Sequence, residues 1–474
     1  MEREREEWRI RSGGGGLVTA MAPVLRNRGG IWIGWSGTTE DADWKELLGD
    51  TVKDIGYQLY TVTLSKKEIE GFYEGFANDV IWPLFHDLPT RCTFLPDYWY
   101  HYVNVNNKFC DALEQYSTES DFIWVHDYHL MNLAQILNQR GLNRRKAFFL
   151  HIPFPAVDIF MKLPWRAQIL QALMEYDLIG FQTLRDRRNF LQCLQYLIPN
   201  INITGRGAVL TLEFGGRSLR VGSFPISIDY DAFVFDAATP EVTSRVDWLK
   251  KEMSGLDIML GVDRLDYTKG LPERLRAFGN ALERYPDLHG KLTFIQIVVP
   301  SRTSMGEYQT LKGEVEQLVS SINGRFSRDS WMPIHYAYRS LSRSHLLAYY
   351  RSAKIGFIAP LKDGMNLVAK EYCACNLEEE GVLILSEFAG SAAQLQNDAL
   401  MVNPHDIEGM ADAIHTAFVM PSEEKRRRMK RLRESIKRNN IYKWVDSFLQ
   451  AALSKHLDDF PALDEYIPQI KVDI

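Results

Sequence analysis

Short apolar runs separated by helix-length stretches recur along almost the whole chain, and this rhythm limits the possible folds more than any other feature. IWIGW at 31–35, FIWVHD at 122–127, KAFFLH at 146–151 and DLIGFQ at 177–182 lie in the first half. DIMLGV at 257–262, LTFIQIVV at 292–299, KIGFIAP at 354–360 and VLILS at 382–386 lie in the second. Helical patterns fall between them, for example over 96–116 and 184–198. Strands alternating with helices build βαβ units around a parallel sheet, so the expected class is α/β. After GSFPISID at 222–229 the composition turns polar and the rhythm restarts. A length of 474 residues also exceeds what one core organises. Two domains are expected, over 1–228 and 229–440, with a helical tail over 441–474 closing back on the first.

Composition removes several classes of function. A formal charge of −6 argues against a surface that wraps nucleic acid, so an anionic ligand has to be met by local cations. The five cysteines, Cys92, Cys110, Cys193, Cys373 and Cys375, are odd in number and scattered. That suits a reducing compartment better than a disulfide framework. No apolar run approaches the roughly 18 residues of a membrane span, and the start is charged where a signal peptide would be apolar. The expected setting is the cytoplasm. Met1 to Arg11, MEREREEWRIR, alternates acid and base without an apolar face and reads as a solvated tail or a short frayed helix.

Chemistry-bearing residues collect where the apolar runs end. In 358–371, IAPLKDGMNLVAKE, a buried strand leads through Asp363 and Gly364 into a helix opening near Asn366. A helix N-terminus beside a glycine presents free N–H groups and a positive dipole end to a diphosphate. Asp363 could orient sugar hydroxyls there and Glu371 a ribose; a tight turn with a capping Asp is the plainer alternative. The run 261–270, GVDRLDYTKG, puts Arg264 and Lys269 after another strand, as cations for a departing diphosphate or as a surface salt bridge among Arg264, Asp263 and Asp266. In the first half HDYH at 126–129 and LHIPFP at 150–155 place Asp127 and His151 at strand ends, where open α/β sheets bind ligands. His126 and His129 lack a third ligand, so no metal is expected and a hydrogen-bonding role at the strand end fits them better. Trp35, Tyr73 and Trp82 face sugar or fill the core. Arg302, after LTFIQIVV, could reach an acceptor phosphate or remain solvated. Gly13 to Gly16 is a phosphate-cradling turn or a flexible linker.

Taken together, GGIWIGWSG (29–37), FYEGFANDVIWPLFH (72–86), WVHDYHL (124–130), FFLHIPFP (148–155), DRLDYTKGLPER (263–274) and DGMNLVAKEY (363–372) resemble the trehalose-6-phosphate synthases. The resemblance runs from about Gly15 to the mid-440s. It implies a GT-B fold, two Rossmann-like domains facing each other across a cleft, and no cofactor or metal. It further implies a retaining transfer of glucose from UDP-glucose to glucose 6-phosphate. Arg264 and Lys269 would then bind the donor diphosphate. Gly16, the backbone of Asp363, Gly364, Met365, Asn366 and Leu367, and the Glu371 side chain would hold the rest of the donor. Trp35, Tyr73, Trp82, Asp127, His151 and Arg302 would line the acceptor side. Asp127, His151, Arg264, Lys269 and Asp363 are the expected catalytic set. The implied partners are a nucleotide-sugar donor and a sugar-phosphate acceptor, with no nucleic acid or membrane, and a homo-oligomer is compatible with the family.

Two departures stand out. Family members open with an apolar strand ending in Ser-Asn-Arg, whose arginine contacts the acceptor phosphate, whereas this chain begins MEREREEWRIRSGGGG. The first strand is expected to be missing, which leaves an unpaired sheet position and a weakened acceptor phosphate site; either the start of the sequence is incomplete or Arg9 or Arg11 substitutes. HDLPTRCTF at 86–94 and FMKLPWR at 160–166 also differ in flavour from the best-known trehalose enzymes. Glycerol 3-phosphate as acceptor, with ADP- or UDP-glucose as donor, and a catalytically silent sugar-phosphate-binding subunit are the alternatives.

Overall fold

The computed structural model describes residues 2–4, 7–9, 21–22, 24–26, 29–39, 56–302, 306–328, 330–454, 460 and 463–468, the first two stretches as backbone only. The chain forms two compact units. One comprises 1–225 with 442–463, and the other 226–441 with 464–474.

The second unit carries a six-stranded, wholly parallel sheet. Its order is Ile334–Tyr338, Leu292–Val299, Asp257–Arg264, Ile355–Ile358, Val382–Ser386 and Leu400–Val402. In chain order that is 3-2-1-4-5-6, the doubly wound arrangement, whose topological switch point lies between the first strand and the fourth. Ile355–Ile358 and Val382–Ser386 are buried at every position. Strands covered by helices on both faces have no solvent side for a polar residue, hence the unbroken apolar runs.

Two glycines let the loops at the switch point approach each other. Gly270 adopts φ +64°, and a Cβ there would lie 2.5 Å from the Ala359 carbonyl oxygen. At Gly390 a Cβ would lie 1.8 Å from the Gly364 carbonyl oxygen. Main-chain bonds seal these approaches, from Leu361 N to Thr268 O (2.8 Å) and from Ser391 N to Met365 O (2.9 Å). Below them Arg274 and Asp263 form a buried ion pair, with side chains 1% and 4% exposed, and Arg274 also donates to the Phe357 carbonyl. Lys370 is buried too, and its Nζ donates to Ile226 O and to Gln394 Oε1, each at 2.7 Å. Burial pulls its pKa down to about 7.

In the first unit the strands Ile123–His126, Lys146–Phe149, Leu178–Phe181 and Arg217–Ser223 are parallel neighbours, and a meander through Val209–Phe214 and Asn202–Thr204 completes a six-stranded sheet. Ile31–Trp35 and Gln58–Val62 pair in parallel as a separate two-stranded ribbon. Among the described residues no strand joins this ribbon to the larger sheet, so Ile123–His126 is an edge. Helix Pro96–Tyr116 touches both strands of the ribbon, Tyr116 stacking on Tyr60 with ring centroids 3.8 Å apart. Glu2–Glu4 and Glu7–Arg9 pair antiparallel, which corrects the expectation of a tail or frayed helix at the start. Local cross-strand pairing satisfies their backbone groups without an apolar face.

The segment Ile69–Ile81 is a 13-residue π-helix. Its Gly71 and Gly75 admit the rings of His101 and Tyr98, which a Cβ would meet at 2.3 and 2.5 Å. Single-turn π-bulges are the usual form of this geometry and often mark functional positions. Here the segment carries Tyr73. Helix Ile441–Leu453 lies against the main sheet of the same unit, where Phe448 stacks on Trp124 (4.3 Å) and Trp444 meets Phe149 edge-on (5.1 Å).

Candidate active site

The loops that follow the strands flanking the switch point bring together Lys269, Asp363 and Asn366. Lys269 Nζ lies 2.5 Å from Asp363 Oδ2, with the two side chains 11% and 14% exposed. Asp363 also accepts from Asn366 Nδ2 at 3.2 Å and, more weakly, from Met365 N at 3.4 Å. Asn366 caps the helix Leu367–Cys375 through its Oδ1 on Ala369 N, at φ +69°, a left-handed conformation that few residues other than glycine adopt. The N-terminal N–H groups of this helix therefore open at the carboxyl end of the sheet, beside a lysine. Arg264 ends its strand exposed to solvent. Of the two acids near it, Asp263 pairs with Arg274 and Asp266 with Arg302.

Arg302 belongs to this second unit, 3.6 Å from Asp266 Oδ2 and 2.6 Å from the Tyr308 hydroxyl. Its side chain is 7% exposed, which corrects the reading of a solvated cation, and its φ of +47° is again left-handed. Burial opposes ionisation of Asp266, but Arg302, Lys269 and Arg264 together hold its carboxyl below the usual range. Asp266 Oδ1 in turn receives Thr268 N (2.9 Å) and Thr268 Oγ1 (2.8 Å), which fixes the turn that presents Lys269. Glu371 lies one helical turn past the loop and accepts from the Tyr350 hydroxyl at 2.9 Å. Burial raises its pKa despite that bond.

The first unit gathers a different set. Asp127, just past the edge strand, has φ +70° and ψ 169°, a region that essentially only glycine occupies, at a cost of about 1–3 kcal/mol. Its main-chain N–H donates to Phe149 O (2.8 Å) and its Oδ1 accepts from His151 N (3.3 Å). The Tyr73 ring stacks on His129 (5.8 Å) and meets that of Trp35 (5.4 Å). Trp82 is 5% exposed, packed on His86 and Tyr128, so most of its ring belongs to the core. Gly16 and Arg11 lie outside the described residues, as does the Arg9 side chain. Among the described residues no cluster of His, Cys, Asp or Glu could hold a metal ion, and no helix is long and apolar enough to cross a membrane.

Sequence reasoning missed the support beneath these residues. Arg274 reads as surface charge in LPERLRAF, and nothing local announces its pairing with Asp263, eleven residues upstream. Gly390 escaped attention because its neighbour, Gly364 O, is distant in sequence. His126, expected to hydrogen-bond at its strand end and not to hold a metal, does so through its ring, although its partner His151 was not foreseen.

Comparison with known proteins supplies the identity. The trehalose-6-phosphate synthase of Mycolicibacterium vanbaalenii is 39% identical over 446 residues, covering 93% of this chain and 91% of its own. A crystal structure of an alpha,alpha-trehalose-phosphate synthase (UDP-forming) from Burkholderia xenovorans, in complex with glucose-6-phosphate, superposes with a TM-score of 0.86 at 36% identity, over 93% of this chain and 96% of its own. A trehalose-6-phosphate synthase studied with bisubstrate glycomimetics, for glycosyl transfer with retention, gives a TM-score of 0.84 at 36% identity over 94% and 97%. The family model for glycosyltransferase family 20 matches residues 1–454. With two Rossmann-like units and loops disposed as above, this chain belongs to glycosyltransferase family 20.

Proposed function

We propose that this chain transfers glucose from UDP-glucose to glucose 6-phosphate with retention of configuration, giving trehalose 6-phosphate and UDP. The observation that carries the reading is the Lys269–Asp363 contact at the switch point of the second unit, beside the helix that Asn366 caps. On donor binding, Lys269 exchanges part of its contact with Asp363 for diphosphate oxygens, and the freed Asp363 oxygen takes a glucose hydroxyl. Arg264 adds the second cation. The N–H groups from Met365 onward meet phosphate and glucose, and Glu371 takes the ribose. Tyr73, Asp127 and His151 of the first unit serve the acceptor, with Trp35 and Trp82 shaping the wall. Arg302 supplies positive charge for the acceptor phosphate.

The bond from the anomeric carbon to the diphosphate oxygen breaks on the face to which the acceptor hydroxyl adds. The hydroxyl proton passes to the departing phosphate oxygen, so no carboxylate nucleophile is required. Similarity to a relative described as UDP-forming, with glucose-6-phosphate bound, supports this donor and acceptor over glycerol 3-phosphate. The five free cysteines support a reducing, cytoplasmic setting.

Purified protein incubated with UDP-glucose or ADP-glucose, and with glucose 6-phosphate or glycerol 3-phosphate, should release nucleotide fastest from UDP-glucose with glucose 6-phosphate. The product should be a non-reducing disaccharide phosphate. Faster turnover with glycerol 3-phosphate would overturn the acceptor assignment. Saturable binding without nucleotide release from any pair would overturn the enzyme reading.

A further inference from the structure

His126 ends one strand, His151 lies two residues past the end of its parallel neighbour, and their rings meet directly, His126 Nδ1 lying 3.1 Å from His151 Nε2. A bond between two imidazole nitrogens holds one proton, so when one ring donates the other must accept. The pair is enclosed by aromatic rings from three elements. Trp124 lies 4.7 Å from His126, Phe149 lies 4.7 Å from His151, and Trp444 lies 6.4 and 6.3 Å from the two rings. Trp124 comes from the edge strand, Phe149 from its neighbour and Trp444 from helix Ile441–Leu453. Asp127 follows His126 in the chain, and its carboxylate accepts from the main chain of His151. Desolvation pulls His126 down to about 3; His151 falls well below its usual value, first by desolvation and then by the neighbouring imidazole. Both rings are therefore neutral at ordinary pH.

We propose that His126 is a positioning residue for the transfer, holding the His151 ring in one orientation and one tautomer so that its remaining nitrogen, Nδ1, meets a sugar hydroxyl. The proposal rests on the acceptor-side role given to His151 above. His126 contacts no substrate; it acts through the 3.1 Å bond. Free rotation of His151 about its side-chain bonds would otherwise let either nitrogen face the ligand.

The test is a double-mutant cycle on the full chain, with kcat and KM measured for UDP-glucose and glucose 6-phosphate. Loss of an orienting partner for a functional imidazole typically costs about 10- to 100-fold. His126→Leu should lower kcat by that amount with little change in KM for UDP-glucose. His126→Asn, whose amide reaches the place of Nδ1, should recover most of it. In a His151→Ala background His126→Leu should cost nothing further, because the bond it removes is already gone. Thermal midpoints verify that each variant folds. An impaired His151→Ala with an unimpaired His126→Leu, or with losses that multiply in the double variant, overturns the positioning role. A His151→Ala variant with unchanged turnover overturns the role of His151 itself.

Discussion

Lys269→Ala is expected to lower kcat for glucosyl transfer by about 10²- to 10³-fold, because removal of one preorganised group that stabilises developing charge costs on the order of 3–4 kcal/mol. The ammonium sits 2.5 Å from Asp363 in a largely enclosed place, so it is already positioned when the donor arrives and little reorganisation is left for the reaction step. The charge it meets is larger in the transition state than in bound UDP-glucose, so KM should change much less than kcat. Lys269→Arg keeps the charge and should retain only part of the rate, since a planar guanidinium cannot replace a point ammonium beside Asp363. An alanine variant that folds and turns over within twofold of the parent chain would remove Lys269 from the transition state.

The second large effect concerns stability. Arg274→Leu should destabilise the second unit by about 3–5 kcal/mol, since it strands the Asp263 carboxylate in a site with almost no solvent. Burial already raises the pKa of Asp263 against the pull of Arg274, so without the guanidinium the acid will take up a proton and recover part of the loss at low pH. Replacing both residues, Arg274→Leu with Asp263→Leu, should be milder than Arg274→Leu alone, because no unpaired charge remains. The unpaired Phe357 carbonyl keeps the double variant below the parent. Thermal unfolding of the three variants decides it; a double variant less stable than Arg274→Leu would contradict the argument.

How much of this could be read from the chain depends on the range of the interaction concerned. LTFIQIVV and VLILS became strands at the residues quoted, because a strand buried on both faces writes its environment into consecutive side chains. The helix after Asp363 was legible for a similar reason, a glycine and a capping Asn being local signals. Arg302 was harder. A cation after a strand reads as solvated, and its contacts with Asp266 and with Tyr308, in the following helix, show that it is tucked in. The π-helical Ile69–Ile81 left no local trace either; the rings seated over its Gly71 and Gly75 come from helix Pro96–Tyr116, well separated in sequence.

With the acceptor-side role proposed for it, Asp127 gives the first unit a built-in conflict between durability and chemistry. Its backbone conformation suits glycine, and the change that would relax it, Asp127→Gly, is also the one that deletes the carboxylate. Selection for a hardier protein and selection for turnover therefore pull in opposite directions at this position. A line of descent released from the need to process sugars would be free to drift toward glycine there, shedding the backbone strain together with the carboxylate.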